Sequence, residues 1–146
     1  MNQTNPKYDL AISFSGEERY IARVIADRIS ESGFRVFFDE YEEYELWGTD
    51  LTYELPERYR QSNRVLALFS ESYVNKIWTT LERQTIILEM LKRRGTGYLL
   101  PLFLNDFRGP IPGLVGVTAY QTLSTTNPDD ISRLCDLLER HMKSIR

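Results

Sequence analysis

The sequence has one cysteine and one histidine in 146 residues, and this scarcity removes several classes of site. Both residues, Cys135 and His141, fall in the same C-terminal helical pattern. No disulfide can form within the chain, and a metal site made of thiolates and imidazoles is not expected. A Ser-His triad would have no histidine at the sheet edge, so we interpret His141 as a helix-end residue. We expect no bound metal and a reducing, cytoplasmic environment.

The sequence also lacks phosphate-binding motifs and long apolar runs. Neither GxxxxGK[ST] nor GxGxxG occurs, which argues against a phosphate-gripping loop and against a dinucleotide-dependent dehydrogenase. No run approaches about 18 apolar residues, and the N-terminal MNQTNPKYD has no apolar signal-peptide core. The formal net charge of −3 gives no broad attraction to nucleic acid or to an anionic membrane. We therefore expect neither of these as a partner.

Short apolar strands alternate with amphipathic helices along the chain. Strands are predicted near 8–14, 34–39, 64–69, 97–104 and 117–121, and helices near 18–32, 49–61, 71–94 and from 128 onward. This alternation predicts an α/β fold, in which a five-stranded parallel sheet carries helices on both faces. We expect one domain over 1–146, with its core at about 7–143. Pro56 is expected to kink or divide the second helix, and Pro101 favours an edge or irregular strand.

The predicted sheet brings several loops to one edge, because ligands of such sheets bind beyond the carboxyl ends of the strands. The loops after the first three strands, 15–16, 39–48 and 70–72, are expected to converge there. A receiver domain that accepts phosphate would need an aspartate after the third strand, where Ser70 and Glu71 stand instead. The remaining candidates at this rim are a carboxylate and several aromatic residues.

Glu82 stands out because it has no local cation to pair with. The residues three and four positions away on a helix are Trp78, Thr79, Thr85 and Ile86. We predict one continuous helix that Ser70 caps and Gly95 ends. Trp78 and Glu82 would lie on the same side of this helix, rotated by about 100° about its axis from the residues that face the core. We expect this flank to face a cleft, where the tryptophan stacks on a ligand and the glutamate reaches it.

A lone carboxylate among aromatic side chains suits one reaction in particular. Cleavage of a glycosidic bond to a good leaving group passes through an oxocarbenium-like transition state, which a carboxylate stabilises. In NAD⁺ the leaving group departs as neutral nicotinamide, so one carboxylate can suffice without a general acid. Phe14, Trp47 and Trp78 would hold flat rings and exclude water, and Asp39 ends the second strand at the same rim.

Four segments together resemble a bacterial Toll/interleukin-1 receptor (TIR) domain of the NAD⁺-cleaving branch. They are YDLAISFSGEER, FFDE with the loop ending in LWGTDL, LFSESYVNKIWTTLE, and LPLFLND with IPGL. The resemblance covers nearly the whole chain in the family's order, and it implies a flavodoxin-like three-layer sandwich. Enzymatic members cleave NAD⁺ to nicotinamide and ADP-ribose or cyclised forms, and their catalytic glutamate follows a tryptophan by four residues, as Glu82 follows Trp78. The resemblance also implies that Phe14 and Ser15 border the pocket and that 39–51 is a mobile loop that helps to close it and mediates assembly.

We therefore expect an NAD⁺ glycohydrolase or ADP-ribosyl cyclase with Glu82 as its catalytic residue, NAD⁺ as substrate and no cofactor. The expected substrate-binding residues are Phe14, Ser15, Asp39, Trp47, Gly48 and Trp78. Expected partners are other TIR domains, through the 39–51 loop, and a separate effector or activating domain. The resemblance to bacterial members implies a role in antiviral defence. Hydrolysis and cyclisation both stay open, and the rival hypothesis is a non-catalytic module that acts through TIR–TIR assembly.

Two further expectations concern charges and the loop. The acidic run from Asp39 to Glu45 is expected to be solvated and self-repelling, with a basic surface on another copy, formed by Arg58, Arg60 and Arg64, as a weaker alternative. Trp47 either approaches ligand or a neighbouring subunit, or packs the loop against the second helix.

The first loop presents a conflict for binding a diphosphate. Glu17 and Glu18 occupy the positive start of the first helix, so Arg19 or Arg23 is expected to supply the compensating charge.

Overall fold

The computed structural model describes residues 6–78, 80–94, 96–114 and 118–146. The strands are β1 (Tyr8–Ser13), β2 (Val36–Phe37), β3 (Ser62–Phe69), β4 (Leu99–Leu104) and β5 (Gln121–Leu123). The helices are α1 (Arg19–Glu31), α2 (Glu43–Leu46), α3 (Leu51–Arg60), α4 (Glu71–Lys76), α5 (Thr80–Lys92) and α6 (Pro128–Ser144). Two 3₁₀ turns, Gly16–Glu18 and Asp39–Glu42, precede α1 and α2.

The five strands form one parallel sheet in the order β2-β1-β3-β4-β5. Buried residues of α1 and α6 pack on one face, and those of α3, α4 and α5 pack on the other. This arrangement confirms the predicted flavodoxin-like three-layer fold. None of the helices in the described ranges combines the length and apolarity needed to cross a bilayer.

Two strand predictions differ from the structure. Pro101 does not lie in an edge strand, because β4 pairs with β3 on one side and with β5 on the other. It faces Ala67 of β3 in register, one residue before β4 begins to pair with β5 at Leu102. The last strand begins at Gln121 rather than ending there; Val117, its predicted start, lies outside the described residues.

The prediction of one long helix after β3 is wrong, since the chain forms two helices separated at Ile77 and Trp78. Ser70 caps α4 as predicted, with its Oγ accepting a hydrogen bond from the Tyr73 amide (3.1 Å). The amides of Ile77 and Trp78 both donate to the Tyr73 carbonyl, each at 2.8 Å. The second of these bonds reaches back five residues, wider than an α-helical turn, and ends α4. Gly95, the predicted end of the helix, lies outside the described residues.

Pro56 does not divide the second predicted helix, because α3 continues through it. The start of α3 is fixed by Asp50, whose Oδ1 accepts a hydrogen bond from the Thr52 amide at 3.0 Å. The buried Tyr59 near the end of this helix points into the core between α3 and the sheet. The helix thus delivers a phenol to the region beneath the candidate site.

Candidate active site

The loops after β1, β2 and β3 meet at the carboxyl edge of the sheet, as predicted. The Ser72 hydroxyl, after β3, donates to Glu17 Oε1 (2.8 Å) and lies within hydrogen-bond distance of Ser15 Oγ (2.9 Å); both partners lie after β1. Arg19 connects the β1 loop to the β2 loop through a bidentate ion pair with Asp39, at 2.8 and 3.0 Å. The rim is therefore a connected surface rather than three independent loops.

Glu82 lies in the first turn of α5, directly after the break that follows α4. Burial raises the pKa of its carboxyl from 4.5 to about 7, and the nearby Tyr59 hydroxyl opposes part of that rise. Its Oε1 is buried and has no hydrogen-bond partner in the part of the chain that the structure describes. Buried carboxyl oxygens are normally hydrogen-bonded, so this unpaired oxygen makes Glu82 a candidate functional residue.

Three buried hydroxyls form a chain beneath Glu82. Tyr59 Oη of α3 donates to Ser13 Oγ at 3.0 Å, and Ser13 Oγ shares a hydrogen bond with Tyr73 Oη of α4 at 2.7 Å. Tyr59 also lies close enough to the Glu82 carboxyl to lower its pKa, although Oε1 itself has no partner among the described residues. Desolvation and the neighbouring Glu82 carboxylate both raise the pKa of Tyr59, which keeps the phenol protonated.

The sequence reasoning did not single out Ser13, Tyr59 or Tyr73. One local signal was available: Ser13 is a polar residue in the otherwise apolar segment from Leu10 to Phe14, at the point where β1 ends. The two tyrosines gave no such signal, since buried tyrosines are common core residues. Their contact with Ser13 joins positions 46 and 60 residues away in sequence.

Trp78 is placed differently from the prediction. It lies outside both helices and is 1% exposed, with its ring edge-on to Phe69 at a centroid distance of 5.2 Å. Its indole nitrogen donates to the Pro112 carbonyl at 2.7 Å. The shared helical flank of Trp78 and Glu82 does not exist, because the helix is broken between them. This geometry gives Trp78 a packing role: it fixes the chain at the start of α5 and ties it to the segment around Pro112.

Phe14, Ser15 and Asp39 lie at the rim and are engaged by neighbouring residues. Phe14 is half-buried beneath the Arg19 guanidinium, which lies 5.0 Å from its ring centroid. Ser15 is fully buried, and Asp39 is held by Arg19. All three lie at the rim, where Arg19 contacts both Phe14 and Asp39; the expectation that Phe14 and Ser15 border a substrate pocket stays a prediction.

Trp47 and Gly48 lie at the outer end of the rim. Trp47 is 88% exposed, which contradicts the alternative in which it packs the loop against the next helix. Gly48 has a φ of +85°, in the left-handed region that favours glycine. A groove beside Trp47 is lined by Arg19, Asp39, Glu40, Glu43, Leu46, Leu51 and Leu55, and Glu82 is not among its lining residues.

Three carboxylates of the acidic segment after β2, Asp39, Glu40 and Glu42, are paired within the chain, which corrects the prediction of a self-repelling loop for that part of the run, whereas Glu43 and Glu45 are exposed. Glu40 binds both Arg19 (2.9 Å) and Arg23 (2.8 Å). Glu42 binds Arg58 of α3 at 3.2 Å, so this arginine is engaged inside the chain rather than offered to another copy. The two arginines expected to compensate a diphosphate are likewise occupied by carboxylates.

The arrangement at Glu82 can perform two kinds of chemistry. When ionised, the buried carboxylate places a negative charge in a poorly solvated region, where it stabilises a developing cation strongly. With a pKa of about 7, it can also accept a proton from a hydroxyl or a water molecule at neutral pH. Within the described ranges, no group of three or more histidine, cysteine, aspartate or glutamate side chains could hold a metal ion.

Comparison with known proteins gives one family. The family model described as TIR domain matches residues 10–138. A curated relative, 3′ cyclic ADP-D-ribose synthase AaTIR from Aquimarina amphilecti, is 32% identical over 137 residues, which cover 93% of this chain and 41% of the relative. The chain thus spans less than half the length of that relative.

Solved structures share the fold at low sequence identity. A metazoan TIR-STING receptor from C. gigas, in complex with 2′,3′-cGAMP, superposes with a TM-score of 0.73 at 19% identity, covering 97% of this chain and 41% of that one. The TIR domain of a Toll-related receptor from Hydra magnipapillata gives a TM-score of 0.62 at 14% identity, covering 94% and 99%. Because the family match runs from β1 into α6, the chain belongs to the TIR-domain family.

Proposed function

We propose that this protein cleaves the nicotinamide–ribose bond of NAD⁺, with Glu82 as the catalytic residue. The observation that carries the proposal is the buried, unpaired carboxyl of Glu82 at the carboxyl edge of the sheet. The name of the curated relative, a cyclic ADP-ribose synthase, supports the same substrate and bond. The reaction needs no cofactor, since NAD⁺ itself is the substrate.

The proposed step is heterolysis of the N-glycosidic bond. Its electron pair goes to the nicotinamide nitrogen, which departs neutral, and positive charge develops on the ribose C1′ and ring oxygen. The Glu82 carboxylate stabilises that charge and needs no proton donor as a second group. The Tyr59 hydroxyl beneath it holds its pKa near neutrality, so that a large fraction of the enzyme carries the ionised form at pH 7.

The product depends on which nucleophile attacks C1′. Water gives ADP-ribose and releases a proton, whereas a hydroxyl or ring nitrogen of the same ADP-ribosyl group gives a cyclic isomer. With a pKa of about 7, Glu82 can accept the proton of an attacking hydroxyl. We propose that both products can form and that the shape of the site sets their ratio. Chromatographic separation of the products measures that ratio.

The experiment is nicotinamide release from NAD⁺ by the wild-type chain and by Glu82→Gln, at low and high protein concentration. Glu89→Gln is the matched control, because Glu89 lies on the same helix, is buried, and is paired with Arg93 at 2.9 Å, whereas the buried Oε1 of the half-buried Glu82 has no partner in the described part of the chain. We expect release by the wild type and by the control, and none by Glu82→Gln. Release that survives in folded Glu82→Gln would overturn the assignment of Glu82.

A second candidate function is self-association through the 39–51 loop. We propose that the assembled protein acts in bacterial antiviral defence in the cytoplasm, together with a separate effector domain. The observation that favours it is the exposed apolar surface of this segment: Trp47 is 88% and Tyr44 84% exposed. Large exposed aromatic residues are enriched at protein interfaces. Sedimentation of the wild type and of Trp47→Ala tests it: we expect only the wild type to form larger species. If wild type and Glu82→Gln both assemble and neither of them releases nicotinamide, the protein is a non-catalytic assembly module.

A further inference from the structure

A cavity lies between α6 and the β3–β4–β5 side of the sheet, on the face of the sheet opposite to α5. It has a volume of about 220 Å³, and six leucines form most of its wall: Leu66, Leu100, Leu102, Leu134, Leu137 and Leu138. Tyr120, Gln121 and His141 border its remaining sides. An apolar cavity of about 150 Å³ is enough for a molecule the size of benzene. The space therefore suits a small ligand with one apolar ring or a short chain.

Two buried nitrogen atoms on this side of the sheet have no hydrogen-bond partner in the described part of the chain. One is Nε2 of His141, which lines the cavity, and the other is Nε of Arg64, which does not line it but whose charge acts on His141. The Nη1 of Arg64 donates to the Asn63 carbonyl at 3.0 Å. Arg64 lies two residues before the lining residue Leu66, so it projects from the same face of β3. Buried polar nitrogens are normally satisfied, and the guanidinium nitrogen can only donate, so its missing partner is an acceptor.

The charge around these nitrogens has one sign. Burial and the neighbouring charge of Arg93 both lower the pKa of Arg64, and no carboxylate contributes to that pKa. Burial and the charge of Arg64 lower the pKa of His141. No aspartate or glutamate is among the residues that line the cavity. A half-buried guanidinium without a counter-charge is unfavourable, and an anion would relieve that cost.

We propose that this cavity binds a small organic monoanion, an aromatic or short aliphatic carboxylate, with its apolar body among the leucines and its charged group at Arg64 and His141. The site is separate from Glu82, because it lies at the amino-end side of β3 and β4 under α6, on the opposite face of the sheet from α5. The proposal does not depend on the NAD⁺-cleaving activity.

The test is an NMR titration of the full chain with benzoate, with benzyl alcohol as the neutral probe of similar shape. We expect saturable shifts of the His141 imidazole and of the leucine methyl groups with benzoate, and binding of benzyl alcohol at least about tenfold weaker. Arg64→Met should weaken benzoate binding by about tenfold and leave benzyl alcohol unchanged. Arg133→Gln is the matched control, because Arg133 is on α6 but pairs with Asp130 outside the cavity.

Leu137→Phe keeps the test valid if Arg64→Met does not fold, since a larger side chain should fill the cavity and remove binding of both probes. Equal affinity for the two probes would overturn the anion assignment. The absence of saturable shifts at His141 with benzoate up to about 10 mM would overturn the site itself.

Discussion

Replacing Glu82 with glutamine should stabilise the protein at alkaline pH while abolishing the proposed cleavage of NAD⁺. The pKa of Glu82 is raised from 4.5 to about 7 in the native state, so the native state holds a proton that the unfolded chain has already lost. Stability therefore falls as pH rises from about 4.5 to 7, and the full cost of the buried carboxylate is present above pH 7. A neutral carboxamide does not carry that cost.

The magnitude follows from the same shift. A change in pKa from 4.5 to about 7 corresponds to roughly 3 kcal/mol between the two protonation states. The amide nitrogen of glutamine must find an acceptor of its own, so we expect a net gain of about 2 kcal/mol at pH 8. The gain should shrink towards zero near pH 5, where Glu82 is protonated in the native wild type.

The assay is urea unfolding of wild type and Glu82→Gln at pH 5, 6, 7 and 8, followed by circular dichroism. Glu89→Gln again serves as the control, because Glu89 is buried but paired with Arg93 and Lys92. Its loss should destabilise the protein by about 1–2 kcal/mol across this range. If Glu82→Gln is no more stable than wild type at pH 8, or if its advantage does not change with pH, the argument from desolvation is refuted.

Three further predictions test the surroundings of the site. Tyr59→Phe removes a hydroxyl that lowers the pKa of Glu82, so the midpoint at which kcat/KM for NAD⁺ rises with pH should move upward from about 7; an unchanged profile would contradict the role of Tyr59. Trp78→Phe deletes the indole donor to the Pro112 carbonyl and should lower the unfolding free energy by about 2 kcal/mol in urea, against little change for the exposed Trp47→Phe. Gly48→Ala places a side chain at a φ of +85° without a steric clash, so thermal unfolding should show a loss of about 1 kcal/mol from backbone strain alone.

The architecture and its edge were predictable from local patterns. Apolar segments of strand length alternate with amphipathic helices, and this alternation dictates parallel pairing whatever the distant contacts are. Cap residues are equally local: Ser70 and Asn127 begin α4 and α6 because their side chains bond amides two or three residues away. The choice of Glu82 also came from local information, since its helical neighbours include no cation.

The break before Glu82 was not predictable in this way. The spacing of apolar residues predicts one helix from Ser70 to Arg94, and nothing within that stretch signals its division at Trp78. The division accompanies burial of the indole against Phe69 and its hydrogen bond to Pro112, which is 34 residues away in the chain. The spacing of residues within one helix gives no information about a hydrogen-bond partner as distant in sequence as Pro112.

The sequence by itself determined the parallel α/β sheet, the edge at which its loops meet, and the carboxylate that stands there. Tertiary structure decided the state of that carboxylate. Its pKa of about 7 arises because burial in the folded protein removes water from the carboxyl, and the Tyr59 hydroxyl opposes only part of that rise. Helical and strand periodicity is a property of neighbouring residues, whereas desolvation and hydrogen bonding between distant residues depend on groups that meet only when the chain has folded.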